Sequence, residues 1–345
     1  MQHRLKYINY TALLALGLLF ITSSCKKDKA YSVPVASDKL QNEAIKRTLG
    51  PNIVGQYIEF AYAMAILPSK GKLVSCVAEA SIAGAAGTYM DNKSYFTKSN
   101  GADTGVVVGS LSVTSKGTTT VTYSKDTSAA TLRYFYQIPE EARGKTVTIK
   151  FTATSSNGES ISTTMGPYTV AKMDMKLNMT VTDSNLMYIS ITDTAVYNAA
   201  GAAANAAKID LVFLYRNVTT SAFNYALVSP AADPQYLPGV TLPAGVNKTN
   251  KMLKTFNMQD HNLAPGLQYG GIYVDDLDFQ KLDLTGNPNY AINLKAEAGV
   301  WVETADGKYR AYVFINSVTA PKAATPTTPA VPFAIAVISM KRYAL

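Results

Sequence analysis

The residues able to do chemistry in this sequence are few, and their spacing narrows what they could do. A serine or cysteine hydrolase needs an imidazole beside its nucleophile. Beyond the N-terminal segment the only histidine is His261, in Gln259-Asp260-His261-Asn262, and no Gly-x-Ser-x-Gly turn accompanies it. It reads as a loop residue. Beyond residue 25, one histidine and one cysteine, Cys76, cannot fill a zinc site of the usual Cys/His kind. Cys76 lies in the apolar run Leu73-Val74-Ser75-Cys76-Val77 and reads as a buried, inert thiol. The acidic run Asp275-Asp276-Leu277-Asp278 could gather hard oxygen ligands for calcium, but it lacks the glycine-centred order of an EF-hand loop. Taken as a strand-to-loop transition, its neighbouring side chains face opposite ways. It reads as a solvated loop, with a metal held by Asp275, Asp276 and Asp278 kept as the alternative. No cofactor is expected. Glycoside hydrolysis needs only two carboxylates at a set separation, and no spacing here nominates a pair.

Aromatic residues are the richer resource, with 22 tyrosines against a single tryptophan. Sugar rings stack on exposed aromatic faces while phenol hydroxyls supply hydrogen bonds. Alternating tyrosines within strands are ordinarily core or cross-strand packing, which accounts for Tyr134-Phe135-Tyr136 and for Tyr269 and Tyr273. Trp301 lies inside a hairpin strand and offers no platform. Tyr89, Tyr95 and Phe96, in a stretch with Gly and Asn, remain as the loop-borne ligand candidates. The formal charge is +8, or +6 once Arg4 and Lys6 are taken away with a leader that carries no acid. These bases are scattered, without the clustered stripe that phosphate contacts require, so no nucleic-acid partner is expected.

The N-terminus carries an address. Arg4 and Lys6 precede an apolar run over residues 11–21, and Thr22-Ser23-Ser24 leads into Cys25. That order is a signal peptide, with an apolar stretch too short to span a bilayer as a helix. A cysteine directly after small residues resembles a lipoprotein box, with Thr22 where the commonest box has Leu. The resemblance implies removal of residues 1–24 and acylation of Cys25, which anchors the chain to outer-membrane lipid. Residues 25–37, beginning Cys25-Lys26-Lys27-Asp28-Lys29, read as a tether.

The remaining residues must build the elements that position everything else. Leu40, Ala44, Ile45 and Leu49 recur at helical intervals before Gly50-Pro51, which predicts a short helix over 38–49. From Val54 the period changes to two, and strands are expected at 57–64, 72–82, 105–113, 118–123, 131–138, 146–154 and 161–170. Lys116-Gly117 and Asn157-Gly158 supply turns. Seven short strands at this spacing read as an immunoglobulin-like sandwich over 38–172. Residues 171–176 read as a hinge into a second β-sandwich over 173–345. Its strands are expected at 177–182, 187–192, 209–216, 225–229, 268–274, 299–304 and 308–318, with Asp306-Gly307 as a hairpin turn. The Ala-rich stretch 197–207 fits either a helical turn or a loop. A Pro-rich linker over 321–332 leads to a last strand at 333–340. The expected fold is thus all-β, tandem sandwiches behind a lipoprotein signal peptide and tether. With one thiol left in the mature chain, core burial must hold it together.

Several segments look familiar. The run Ile138-Pro139-Glu140-Glu141-Ala142-Arg143-Gly144 through Thr154, with the Asn157-Gly158 turn, resembles the closing strands of Ig-like modules in Bacteroidota outer-membrane lipoproteins. Asp210-Leu211-Val212-Phe213-Leu214-Tyr215 and Thr304-Ala305-Asp306-Gly307-Lys308-Tyr309 are similar to segments of their C-terminal β-sandwich halves. Together these resemble an uncharacterised two-domain surface lipoprotein family of gut Bacteroidota, distantly similar to accessory lipoproteins of the SusE and SusF type. The resemblance implies an outer-membrane, cell-surface location and a non-catalytic role, binding polysaccharide or serving an uptake complex as a partner. A structural or adhesive subunit that donates residues 321–345 as a strand to a neighbour is the second reading. A glycan hydrolase is the third.

Overall fold

The alternation that begins at Tyr57 organises the first half of the chain. The computed structural model describes residues 38–217, 223–264, 271–325 and 328–345. Its first eleven strands are β1 (Gln41–Lys46), β2 (Tyr57–Ala65), β3 (Leu73–Ala80), β4 (Tyr89–Met90), β5 (Lys93–Thr97), β6 (Asp103–Val107), β7 (Val113–Ser115), β8 (Thr118–Thr122), β9 (Ala129–Gln137), β10 (Thr146–Ser155) and β11 (Ser160–Thr169). They form two facing sheets, β1-β2-β9-β4 and β11-β10-β3-β8-β7, with β5 and β6 as a separate hairpin. One side of each alternation is buried: Ile58, Phe60, Tyr62 and Met64 on β2 face Val147, Ile149 and Phe151 on β10 within one core. Phe151 stacks on Tyr62 at 4.9 Å and meets Phe60 edge-on at 5.5 Å. Each such side chain contributes about 1.5–3 kcal/mol by leaving water. Cys76 is enclosed in this core, its thiol donating to the Met90 sulfur at 3.3 Å, and burial pushes its pKa well above the usual thiol range.

The helix expected over 38–49 is a strand. β1 pairs antiparallel with β2 from Gln41 opposite Ala65 to Lys46 opposite Phe60. The helical spacing misleads because only Leu40 and Ala44 of its four apolar residues are buried, while Ile45 and Leu49 stay 56% and 75% exposed. An isolated twelve-residue helix is marginal in water, and the edge of β2 offers this segment a full ladder of backbone partners.

The second half contains β12 (Asp174–Thr182), β13 (Tyr188–Ser190), β14 (Ala195–Tyr197), α1 (Ala199–Ala204), β15 (Leu211–Arg216), β16 (Asn224–Val228), β17 (Lys251–Phe256), α2 (Asp276–Lys281), β18 (Tyr290–Leu294), β19 (Ala298–Glu303), β20 (Tyr309–Thr319) and β21 (Ile335–Ala344). Its sheets run β12-β21-β20-β19-β17 and β14-β13-β15-β16-β18. Between them lie Val181, Phe213, Val300, Val302, Val313, Ile338 and Met340. The first of these sheets is covered on its other face too. Leu263, Val274, Phe279 and Leu284, from the 258–284 segment and α2, pack with Trp301, Tyr312, Phe314 and Tyr343. This third layer explains why β19 and β20 read as continuous apolar runs, the pattern of strands buried on both faces. The strand expected at 268–274 is absent from its described part: residues 271–275 contribute a single parallel bridge, Ile272 to Asp260, and 268–270 lie outside the described residues.

The strand within the proposed donor segment, residues 335–344, is already paired. β21 lies inside its own sheet, bonded to β20 along one edge and β12 along the other, so both its backbone edges are used.

The passage between the halves is a clamp and not a hinge. Asn52 bridges Val170, and Ala171 N donates to Asn52 O at 2.8 Å. Ile53 lodges among Met173, Leu263 and Phe279 of the second half. Asp276 accepts from Lys172 N at 2.6 Å and Met173 N at 3.1 Å. Arg143 pairs with Glu140 and, at 2.7 Å, with Asp174, and donates to Lys172 O at 2.8 Å.

Candidate functional site

The outward positions of β2, β4 and β9 gather an aromatic face. Register places Tyr57 opposite Gln137, Glu59 opposite Phe135 and Tyr89 on the other side of Phe135. Tyr89 stacks on Phe135 with centroids 4.7 Å apart and planes 14° apart, and Tyr57 meets Phe135 edge-on at 6.1 Å. Tyr57 and Tyr89 remain 41% and 43% exposed, side by side over a half-buried phenylalanine. Chain alternation alone produces this: Phe60, Tyr62, Tyr134 and Tyr136 turn inward, so Tyr57, Glu59, Arg133, Phe135 and Gln137 must turn outward.

Polar groups frame the rings. Arg133 lies over the Tyr95 ring, its guanidinium carbon 4.0 Å from the centroid, and pairs with Asp103 and, at 3.7 Å, with Glu59. Glu59 also holds Arg47 at 2.7 Å. The Tyr95 hydroxyl donates to Asp91, a bond that, with partial burial, raises the Tyr95 pKa to about 12. Partial burial, then the charge of Asp91, raises Tyr89 as well. Both phenols therefore stay neutral donors at any physiological pH. The β5–β6 hairpin delivers Tyr95 to this face, and Gly105 opposite leaves it room: an added Cβ would come within 3.1 Å of the Tyr95 ring and of the Lys93 side chain. The arrangement offers flat apolar surface for a sugar ring's C–H face, ringed by hydrogen-bonding side chains.

Of the three aromatic candidates, the structure brings Tyr89 and Tyr95 into one neighbourhood. Phe96, next to Tyr95 on β5, turns to the other side of the hairpin and stands half exposed apart from them. Sequence reasoning missed Tyr57, Phe135, Arg133 and Glu59. The signal for their outward direction was in the alternation; the register that joins positions about 75 residues apart was not.

The acidic run has a structural occupation. Asp275 is the N-cap of α2, accepting from Leu277 N at 2.8 Å, and Asp278 closes the capping box by accepting from Asp275 N at 2.8 Å. Asp276 clamps the linker, as described above. Asp275 and Asp276 border a cleft of about 660 Å³ together with Pro51, Tyr168, Tyr273 and Gln280. Among the described residues no group of three or more His, Cys, Asp or Glu side chains is placed to hold a metal ion. The run is a helix start where a strand end was expected, and its carboxylates are engaged as cap and clamp. His261 lies against Tyr273 at 5.2 Å in the covering layer. Cys25 and Tyr269 lie outside the described residues.

Residues 37–170 match the profile of a domain of unknown function, DUF4466, and residues 171–345 that of another, DUF8576. A crystal structure of a DUF4466 family protein from Parabacteroides merdae ATCC 43184 is similar over 90% of this chain and 100% of its own, at 43% identity and a TM-score of 0.80. The chain belongs to the DUF4466 family. A major-pilin fragment, GBS80 of Streptococcus agalactiae, aligns at 9% identity over 87% of this chain and 91% of that one, with a TM-score of 0.30, too low to carry a fold argument. No curated protein matches the chain. Its DUF4466 half carries the aromatic face, and its DUF8576 half carries the acidic run and the covering layer.

Proposed function

We propose that this DUF4466 protein is a non-catalytic lipoprotein of the outer cell surface that binds glycan through the Tyr57, Tyr89 and Phe135 face, as an accessory of an uptake complex. The observation that carries the reading is the exposed pair of tyrosines stacked about Phe135 and bordered by Arg133, Glu59 and Gln137. The signal sequence ending at Cys25 and the Bacteroidota relative support the address. The carboxylates near the face support binding over hydrolysis. Glu59 and Asp103 are both held in ion pairs with arginine, whereas a glycosidase needs a pair of carboxyls facing its substrate. Asp210, whose carboxyl pKa burial raises, is enclosed against Lys248 in the second half, away from this face.

Retention of the purified protein on gels cast with soluble polysaccharides tests the reading. The parent protein is expected to be retarded by at least one polysaccharide, and Tyr89→Ala and Tyr57→Ala to weaken that retention about tenfold each, since stacking on an aromatic face contributes roughly 1–1.5 kcal/mol. Parent protein that migrates freely in every gel would remove glycan binding. A mature N-terminus without acyl chains on Cys25 would remove the anchor separately.

A further inference from the structure

Lys341 is a lysine without access to water. Its side chain, like that of Asp260 opposite, is completely buried. The ammonium nitrogen lies 2.6 Å from Asp260 Oδ2, 2.7 Å from the Val274 carbonyl and 2.9 Å from Asn262 Oδ1. The fold holds all three residues in place. β21 pairs Lys341 with Tyr312 on the covered face of its sheet. Asp260 is fixed by accepting from Asn262 N at 2.7 Å and Val274 N at 3.0 Å. Aromatic residues packed between the sheet and its covering layer, Phe279, Trp301, Tyr312 and Tyr343, form the apolar cluster on this face. Burial pulls the Lys341 pKa below the usual lysine value, against the opposing pull of Asp260. A desolvated lysine that gives up its proton is a nitrogen nucleophile, and the electrophile it faces is a carboxamide.

We propose that Lys341 and Asn262 are joined by an isopeptide bond that forms spontaneously in the folded protein. Asp260 takes one proton from the Lys341 ammonium, and the freed lone pair on Nζ adds to Asn262 Cγ. A second Nζ proton passes through the Asp260 carboxyl to the amide nitrogen. The Cγ–Nδ2 bond then breaks, ammonia leaves and the carbonyl re-forms. No atom changes oxidation state and no co-reactant is consumed. Asn262 is only partly buried, which gives the ammonia a way out. Proximity supplies the rate, because the Lys341 nitrogen is already hydrogen-bonded to the carboxamide it attacks, and groups held together in this way react as if at very high concentration. The bond closes a loop of 79 positions between the covering layer and the last strand. Such a closure restricts the unfolded chain as a disulfide would, in a mature chain with no pair of cysteines to spare.

Intact-mass measurement of the purified folded protein is the test. The expected mass is lower than that of the sequence by one ammonia, and tryptic digestion is expected to yield a branched peptide holding both Lys341 and Asn262. Asn262→Ala and Lys341→Met each restore the full mass less only the substitution. Asn157-Gly158 can also lose ammonia by closing a succinimide, so the branched peptide decides. A parent protein of full sequence mass overturns the proposal. So does one that has lost ammonia but is cleaved by trypsin after Lys341 to give only linear peptides.

Discussion

Glu303 shows how one side chain ties three strands and makes their cohesion depend on pH. It stands opposite Lys251 on β17 and opposite Arg310 on β20, and binds the first at 3.0 Å and the second at 2.9 Å. The Lys251 hydrogen bond, with Arg310 behind it, outweighs partial burial and holds the Glu303 pKa below its ordinary 4.5. The folded state therefore releases this proton more readily than the unfolded chain. The stabilisation is complete above the ordinary carboxylate range and is lost as pH falls through the lowered native value. Glu303→Gln should cost roughly 0.5–1 kcal/mol at neutral pH, the scale of a cross-strand ion pair near the surface. Thermal unfolding at stepped pH should show that gap closing on acidification; a gap constant down to the acid end would mean that charge is not its cause. Cys76 makes a complementary prediction. With its thiol enclosed and its pKa raised, native protein should resist iodoacetamide, and labelling should appear only with denaturant. Rapid native labelling would contradict the packed core around Met90.

At the scale of elements, Gly50 marks where a turn and an approach coincide. Its φ is +75°, and an added Cβ would come within 2.3 Å of the Tyr273 ring. Gly50→Ala should therefore destabilise the protein by about 1–3 kcal/mol. In a double-mutant cycle, Tyr273→Ala should return the steric share and leave the backbone share. Exact additivity in urea unfolding would show that the ring is not what Gly50 makes room for. The same stretch shows how far the sequence could be read. β2, β9 and β10 were legible because one face of each is core, and the Asn157-Gly158 and Asp306-Gly307 hairpins because their dipeptides fit the turns, each with a positive-φ glycine. β1 was not, since an edge strand with exposed Ile45 imitates helical spacing. β17 and β18 were overlooked: Lys251–Phe256 buries little beyond Met252, and Tyr290–Leu294 is a short strand in a polar context. α2 was hidden because Asp275, Asp276 and Asp278 invite a metal reading unless the N-terminal needs of a helix are considered first. For the candidate site, Tyr89 and Tyr95 stood out as loop aromatics, whereas Phe135 looked like core among its inward neighbours Tyr134 and Tyr136.

For the whole molecule, the question is whether two sandwiches joined at Ala171 behave as one body. Tandem domains on a flexible link unfold separately, while an interface with an embedded side chain and satisfied backbone groups couples them. Here Ile53 of the first half is buried in the second. Asp276 holds the Lys172 and Met173 amides just past the junction, and Arg143 of the first half reaches across to Asp174. Ile53→Ala should cost about 2–4 kcal/mol as a buried cavity, and Asp276→Ala about 1–3 kcal/mol through two lost hydrogen bonds to a charged carboxylate. If these contacts carry the coupling, calorimetry of the parent protein should show one cooperative transition. The double variant Ile53→Ala/Asp276→Ala should show two, with the first half melting earlier because the second keeps its three layers. Tryptophan fluorescence can assign them, since the sole tryptophan, Trp301, lies in the second half and should report only the later event. A double variant that still melts in one step, with Trp301 emission changing together with the far-UV signal, would place the coupling elsewhere than at this junction.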